Sequence, residues 1–133
     1  DRELAGGGPL LDMGIYCVQG ALYTKGALPV SVTAQLAPNP DPKGLFKEVE
    51  AGVSWQMQFA DGAVAECRTS YAENLSSRLR ADTARGWMEL QPAFGYGGLR
   101  GRTSQGPMNL TNVPQQARQM DDFADCILNN KST

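Results

Sequence analysis

Val53-Ser54-Trp55-Gln56-Met57-Gln58-Phe59-Ala60-Asp61-Gly62 sets Val53, Trp55, Met57 and Phe59 on one face and Ser54, Gln56 and Gln58 on the other. That is the period of a half-buried strand, predicted to run from Val49 to Ala60. Asp61-Gly62 then reads as a two-residue hairpin turn, because both central positions of such a turn take positive φ. The chain returns beside itself from about Ala63 to Tyr71, and the pair is antiparallel.

The same reasoning extends in both directions. Upstream, Val30, Val32, Ala34 and Leu36 alternate with Ser31, Thr33 and Gln35, giving a strand from Val30 to Ala37. Pro38 to Gly44 is a loop by composition. Downstream, strands are predicted over Leu75 to Ala81 and Trp87 to Leu90, with a weak one near Leu99 to Thr103 inside a glycine-rich segment. Helices flank the strands, one from about Pro9 to Lys25 and one from Gln115 to Asn130. The second carries an apolar stripe of Met120, Phe123, Ala124, Ile127 and Leu128. Strands segregated from helices give an α+β fold. The expected architecture is one domain over residues 1–133, with both helices covering the apolar face of an open, mainly antiparallel sheet of five or six strands. The polar face is then either solvated or a flat contact surface.

Composition narrows the function. With 133 residues, 41% hydrophobic and 20% charged, the chain is long enough to bury a core. A net charge of −2 argues against nucleic acid as a partner. Arg78, Arg80, Arg85, Arg100 and Arg102 read as scattered surface charges. No apolar run reaches the length that spans a bilayer. There is no histidine and no C-x-x-C, so no metal site is expected, and nucleophilic triads that use histidine are excluded. Three widely spaced cysteines, Cys17, Cys67 and Cys126, suit reduced thiols in an intracellular setting better than a disulfide framework.

The first helix carries the candidate chemistry. Pro9 suits a first helical position and Gly26 a stop. The helix is apolar on most sides and is expected to be largely buried. One stripe nevertheless holds Asp12, Tyr16, Gln19 and Tyr23. It is either a cleft in which Asp12 and Tyr16 do proton chemistry, or a solvated helix edge. A tyrosine hydroxyl, with an ordinary pKa of about 10, starts protonated at neutral pH, and an adjacent carboxylate can orient it. Gly6-Gly7-Gly8 is an anion cradle or a flexible helix start. It is not a P-loop, and no strand precedes it as a dinucleotide fingerprint requires. Phe94-Gly95-Tyr96-Gly97-Gly98 either lines a sugar pocket or is an ordinary loop anchored by aromatics.

At Ala5-Gly6-Gly7-Gly8 and Leu11-Asp12-Met13-Gly14-Ile15-Tyr16 the chain resembles the C-terminal domain of the Gfo/Idh/MocA oxidoreductase family. Glu48-Val49-Glu50, Trp55-Gln56-Met57-Gln58-Phe59, Gly62-Ala63 and Asn129-Asn130-Lys131 extend the likeness over nearly the whole chain. Tyrosine at position 16, where most members have histidine, is similar to the glucose–fructose oxidoreductase and the dihydrodiol and xylose dehydrogenase branch. The resemblance implies a dihydrodipicolinate-reductase-like fold and a substrate-binding and oligomerisation role in an NAD- or NADP-dependent enzyme acting on a sugar or polyol. It implies Asp12 and Tyr16 as catalytic residues, Gln19 and Tyr96 as substrate contacts, and Gly7 and Gly8 beside the cofactor. NADP or NAD would be held mainly by a Rossmann domain whose motifs this sequence lacks. The chain is therefore expected to be a fragment, inactive alone. It is expected to form a homodimer or higher oligomer through the sheet and to work in the cytoplasm, or in the periplasm. A non-enzymatic binding or assembly module is the alternative.

Overall fold

The computed structural model describes residues 2–36, 44–111 and 113–132, so most of the loop expected at Pro38 to Gly44 lies outside the described residues. The chain packs as two compact units, Asp1–Ser76 and Ser77–Thr133. All strand pairs are antiparallel, which bears out the α+β reading.

The first unit opens with a single helical turn, α1 (Arg2–Ala5), ahead of the three glycines. A five-residue π-turn, Leu10–Gly14, then leads without a break into α2 (Ile15–Lys25). Gly26 ends α2 in the left-handed conformation, φ 67°, and its N–H bonds the Leu22 carbonyl, as a C-terminal glycine should. The sheet has the order β1 (Ser31–Leu36), β2 (Gly52–Gln58), β3 (Val64–Ser70). Trp55 stands opposite Ala34 on one side and Cys67 on the other, so the alternating face read in β2 is continuous across the sheet. Val53, Trp55, Met57 and Phe59 are buried with Ala21, and Cys17, Val18 and Leu22 of α2 pack on them.

Two expectations need correction here. The β2–β3 turn is not a two-residue one. Gly62 N–H bonds Phe59 O at 2.9 Å, and Phe59 N–H bonds Ala63 O at 2.9 Å. Gly62 alone has positive φ, 84°. This is a three-residue loop closed by a glycine bulge, which needs one left-handed residue where the shorter turn needs two. The helix is also less buried than its composition implied. Gly14 and Ala21 are buried, but Leu11, Ile15 and Tyr23 are exposed. α2 covers β2 and β3, and the apolar row of β1 (Val32, Ala34, Leu36) stays open.

The second unit holds the order β4 (Leu79–Thr83), β5 (Gly86–Leu90), β6 (Gly101–Thr103), β7 (Gly106–Pro107), followed by α3 (Gln115–Leu128). The strands thus form two hydrogen-bonded sheets, of three and four strands, not one of five or six. The break has a local cause. The Ser70 hydroxyl accepts the N–H groups of Ala72 and Glu73, which turns the chain and ends β3, and pairing resumes only at Leu79. α3 forms as predicted, but its stripe does not cover a sheet: Met120, Phe123 and Ile127 are 66%, 56% and 66% exposed.

Three of the five arginines, Arg78, Arg80 and Arg102, are not scattered. Arg80, Glu89 and Arg102 lie directly opposite one another on β4, β5 and β6. Glu89, 6% exposed, accepts from Arg78 Nε at 2.8 Å and from Arg102 Nη2 at 2.6 Å. Arg80 binds Asp82 and lies 4.6 Å from the centroid of the Trp87 ring. Hydrogen bonds from Arg102 and then Arg78 hold the Glu89 carboxyl below its ordinary value of 4.5. Its folded pKa lies below the unfolded one. The stabilisation is therefore present above the unfolded value and lost as pH falls through the folded one. In a thermal-unfolding series below pH 5, Glu89→Gln is expected to lose stability with acid less steeply than the parent. Parallel curves would remove Glu89 from the acid response.

Candidate functional site

The site is built where the start of the long helix meets the end of β3. Pro9 is fully buried, and the Thr69 hydroxyl donates to its carbonyl at 3.5 Å. Gly14 lets the helix come close: an added Cβ would sit 2.9 Å from Leu10 Cδ1, 3.2 Å from Trp55 Cη2 and 3.3 Å from Thr69 Cγ2. Ser70 donates to Ala51 O at 3.1 Å, and Tyr71 N–H bonds the same carbonyl at 2.9 Å. These contacts fix the position of Asp12 relative to the residue that follows β3.

That residue is Tyr71, and its hydroxyl donates to Asp12 Oδ2 at 2.7 Å. Its ring stacks on Phe46, with centroids 6.1 Å apart. The phenol is pushed up to about 12, first by its hydrogen bond to Asp12, then by desolvation and by the negative charges of Asp12 and Glu50. Ionising it would set a phenolate against two carboxylates. Tyr71 therefore stays a donor throughout the pH range in which proteins ordinarily work.

The hydroxyl on Asp12 is thus that of Tyr71, which the helical spacing could not reveal. Tyr16 lies one turn on from Asp12, 47% exposed, and Gln19 follows it, also exposed. Tyr96 belongs to the second unit, on the loop between β5 and β6, and is 85% exposed.

Gly7 and Gly8 line a cleft of ≈ 680 Å³ together with Arg2, Phe46, Glu48 and Glu50. A side chain at Gly8 would run into the Glu50 carboxyl group. The Glu50 carboxylate flanks Gly8, and Arg2 and Lys47 line the same cleft, so its wall carries both signs of charge. Gly7 and Gly8 offer close backbone approach there. Two thiols, Cys17 on α2 and Cys67 on β3, lie half-buried, and desolvation pushes both up, Cys67 to about 11. Both are poor nucleophiles in that state.

An antiparallel α+β domain with a glycine-led helix seated on its sheet is the class that fold and site define. Residues 1–89 match the profile of the GFO/IDH/MocA C-terminal domain, and the chain belongs to that oxidoreductase family. The crystal structure of aldose-aldose oxidoreductase from Caulobacter crescentus complexed with glycerol is similar over 99% of this chain, with a TM-score of 0.88 and 36% identity. This chain spans 41% of that one. No helix among the described residues is long and apolar enough to cross a membrane.

Proposed function

We propose that this chain is the substrate-binding and oligomerisation domain of an NAD(P)-dependent oxidoreductase acting on a CH–OH group of a sugar or polyol, NADP being the favoured cofactor. The observation that carries the reading is the exposed Asp12, Tyr16, Gln19 stripe on the helix of a family domain whose structural relative is named an aldose-aldose oxidoreductase. In this reading Tyr16 takes the proton from the sugar hydroxyl during oxidation and returns it during reduction. Asp12 accepts a hydrogen bond from the sugar and fixes its pose. Gln19 binds a further hydroxyl. The nicotinamide cofactor supplies the hydride exchange when bound. It is held mainly by a Rossmann domain whose motifs this sequence lacks, with Gly7 and Gly8 offering backbone approach beside it.

The domain assembles as a homodimer or larger oligomer through the first sheet. Its polar face, with Thr33, Gln35, Ser54, Gln56, Glu66 and Arg68, forms a shallow depression of ≈ 500 Å³, and β1 is an edge strand. Three free thiols favour the cytoplasm over the periplasm.

The test is a steady-state assay of the full-length protein with a panel of aldoses and polyols, following nicotinamide reduction with NADP and with NAD. Oxidation of at least one aldose, faster with NADP, is expected. Failure with every sugar and both cofactors would overturn the enzyme reading and leave the binding module.

A further inference from the structure

We propose that Tyr71 is a positioning residue of this site, holding the Asp12 carboxylate in one orientation by a hydrogen bond to Oδ2 so that Oδ1 faces the ligand. The inference rests on the function proposed above and extends it to a residue outside the helix.

An exposed aspartate rotates about its two side-chain bonds, and an acceptor that samples several rotamers does not define a pose. Asp12 is exposed, and the Tyr71 hydroxyl donates to it at 2.7 Å. The bond is charge-assisted, of the stronger kind. Tyr71 is itself held at two points, by its N–H on Ala51 O and by its ring on Phe46. Ser70 is buried and anchored to the same carbonyl, and Thr69 ties this strand end to Pro9 at the head of the helix. A chain of fixed contacts thus runs from strand to phenol to carboxylate. With Oδ2 taken, Oδ1 is left for a sugar hydroxyl. The carboxylates of Asp12 and Glu50 keep the phenol protonated, so the donor does not switch off near neutral pH. Supporting groups of this kind set the geometry of the residues that touch substrate, and small misplacements there carry large rate penalties.

The decisive experiment is a double-mutant cycle in the full-length protein, with Tyr71→Phe, Asp12→Ala and both together, measuring kcat and KM for its best aldose. Phenylalanine keeps the stack on Phe46, so the fold is retained, which the unfolding midpoint checks. Tyr71→Phe alone is expected to lower kcat/KM by about ten- to a hundredfold. In the Asp12→Ala background it is expected to change almost nothing, because the acceptor it acts through is gone. Effects that multiply would overturn the proposal. A second readout does not depend on turnover. In an alkaline absorbance titration, the phenol step near pH 12 is expected to vanish in Tyr71→Phe and to move to lower pH in Asp12→Asn. A step unmoved by Asp12→Asn would also overturn the proposal. A parent protein that oxidises no sugar overturns the function itself, while the titration still decides whether the pair exists.

Discussion

Tyr16→Phe in the full-length protein is expected to lower kcat by about a hundred- to ten-thousandfold, the range for removing a positioned general acid or base. The substitution deletes one oxygen from a ring that is about half exposed on α2, so stability should move by no more than about 0.5 kcal/mol. With the hydroxyl at the reacting oxygen, as proposed, the loss should fall on kcat and kcat/KM together, with KM nearly constant. That pattern separates it from Tyr71→Phe, which works through the orientation of Asp12. The two phenols are therefore to be compared in the same assay with the same aldose. Unchanged turnover in Tyr16→Phe would take Tyr16 out of the mechanism and favour a binding module.

The second large effect is on folding. Trp55 is 5% exposed at the centre of the first unit's core, between Val53 and Met57 on β2, with the helix backbone at Gly14 close against its indole edge. Trp55→Ala is expected to destabilise by about 3–5 kcal/mol, since the helix above cannot sink into the space left behind. For a domain of ordinary stability, roughly 5–15 kcal/mol, that is a large share of the total. Urea unfolding followed by circular dichroism measures it, with Trp55→Phe expected to lose less. The only other tryptophan, Trp87, lies in the second unit, so its fluorescence in Trp55→Ala reports whether that unit loosens too. A midpoint shift worth less than about 1 kcal/mol would show that the core does not depend on the indole.

How much of this was legible beforehand follows from the range of each signal. The alternation from Val53 to Phe59 is local, and it placed β2, its face and its return strand. Pro9 and Gly26 marked the ends of the long helix for equally local reasons. α1 and β7, four and two residues long, are too short to carry a period. The glycine bulge at Gly62 and the tighter two-residue turn share the same Asp-Gly letters. They differ in one φ angle that the sequence does not state. The contacts that matter most to the site are long-range. Tyr71 stands 59 residues from Asp12, and no periodicity links a helix start to a strand end. Glu89 and the arginines around it come together only through strand register. The likeness at Asp12 and Tyr16 did identify the family that residues 1–89 match, because a family motif records a spatial arrangement that spacing alone cannot.

The π-turn at Leu10–Gly14 divides one helix into two rotational phases. Each turn of i→i+5 bonding holds a residue more than an α-turn, so everything before it is offset by one position from everything after. Removing a single residue there would restore an uninterrupted α-helix. Because the wide turn takes up the extra residue, Pro9 and the glycines before it and residues 15–25 after it would both keep their places, and only the side chains inside the turn would be rearranged. The same deletion a turn later, in regular α-helix, would rotate one side against the other by about 100° and carry Cys17, Val18 and Ala21 off the core. The wide turn is thus a place where the helix absorbs a change of one residue without moving either the glycine loop or its own seat on the sheet.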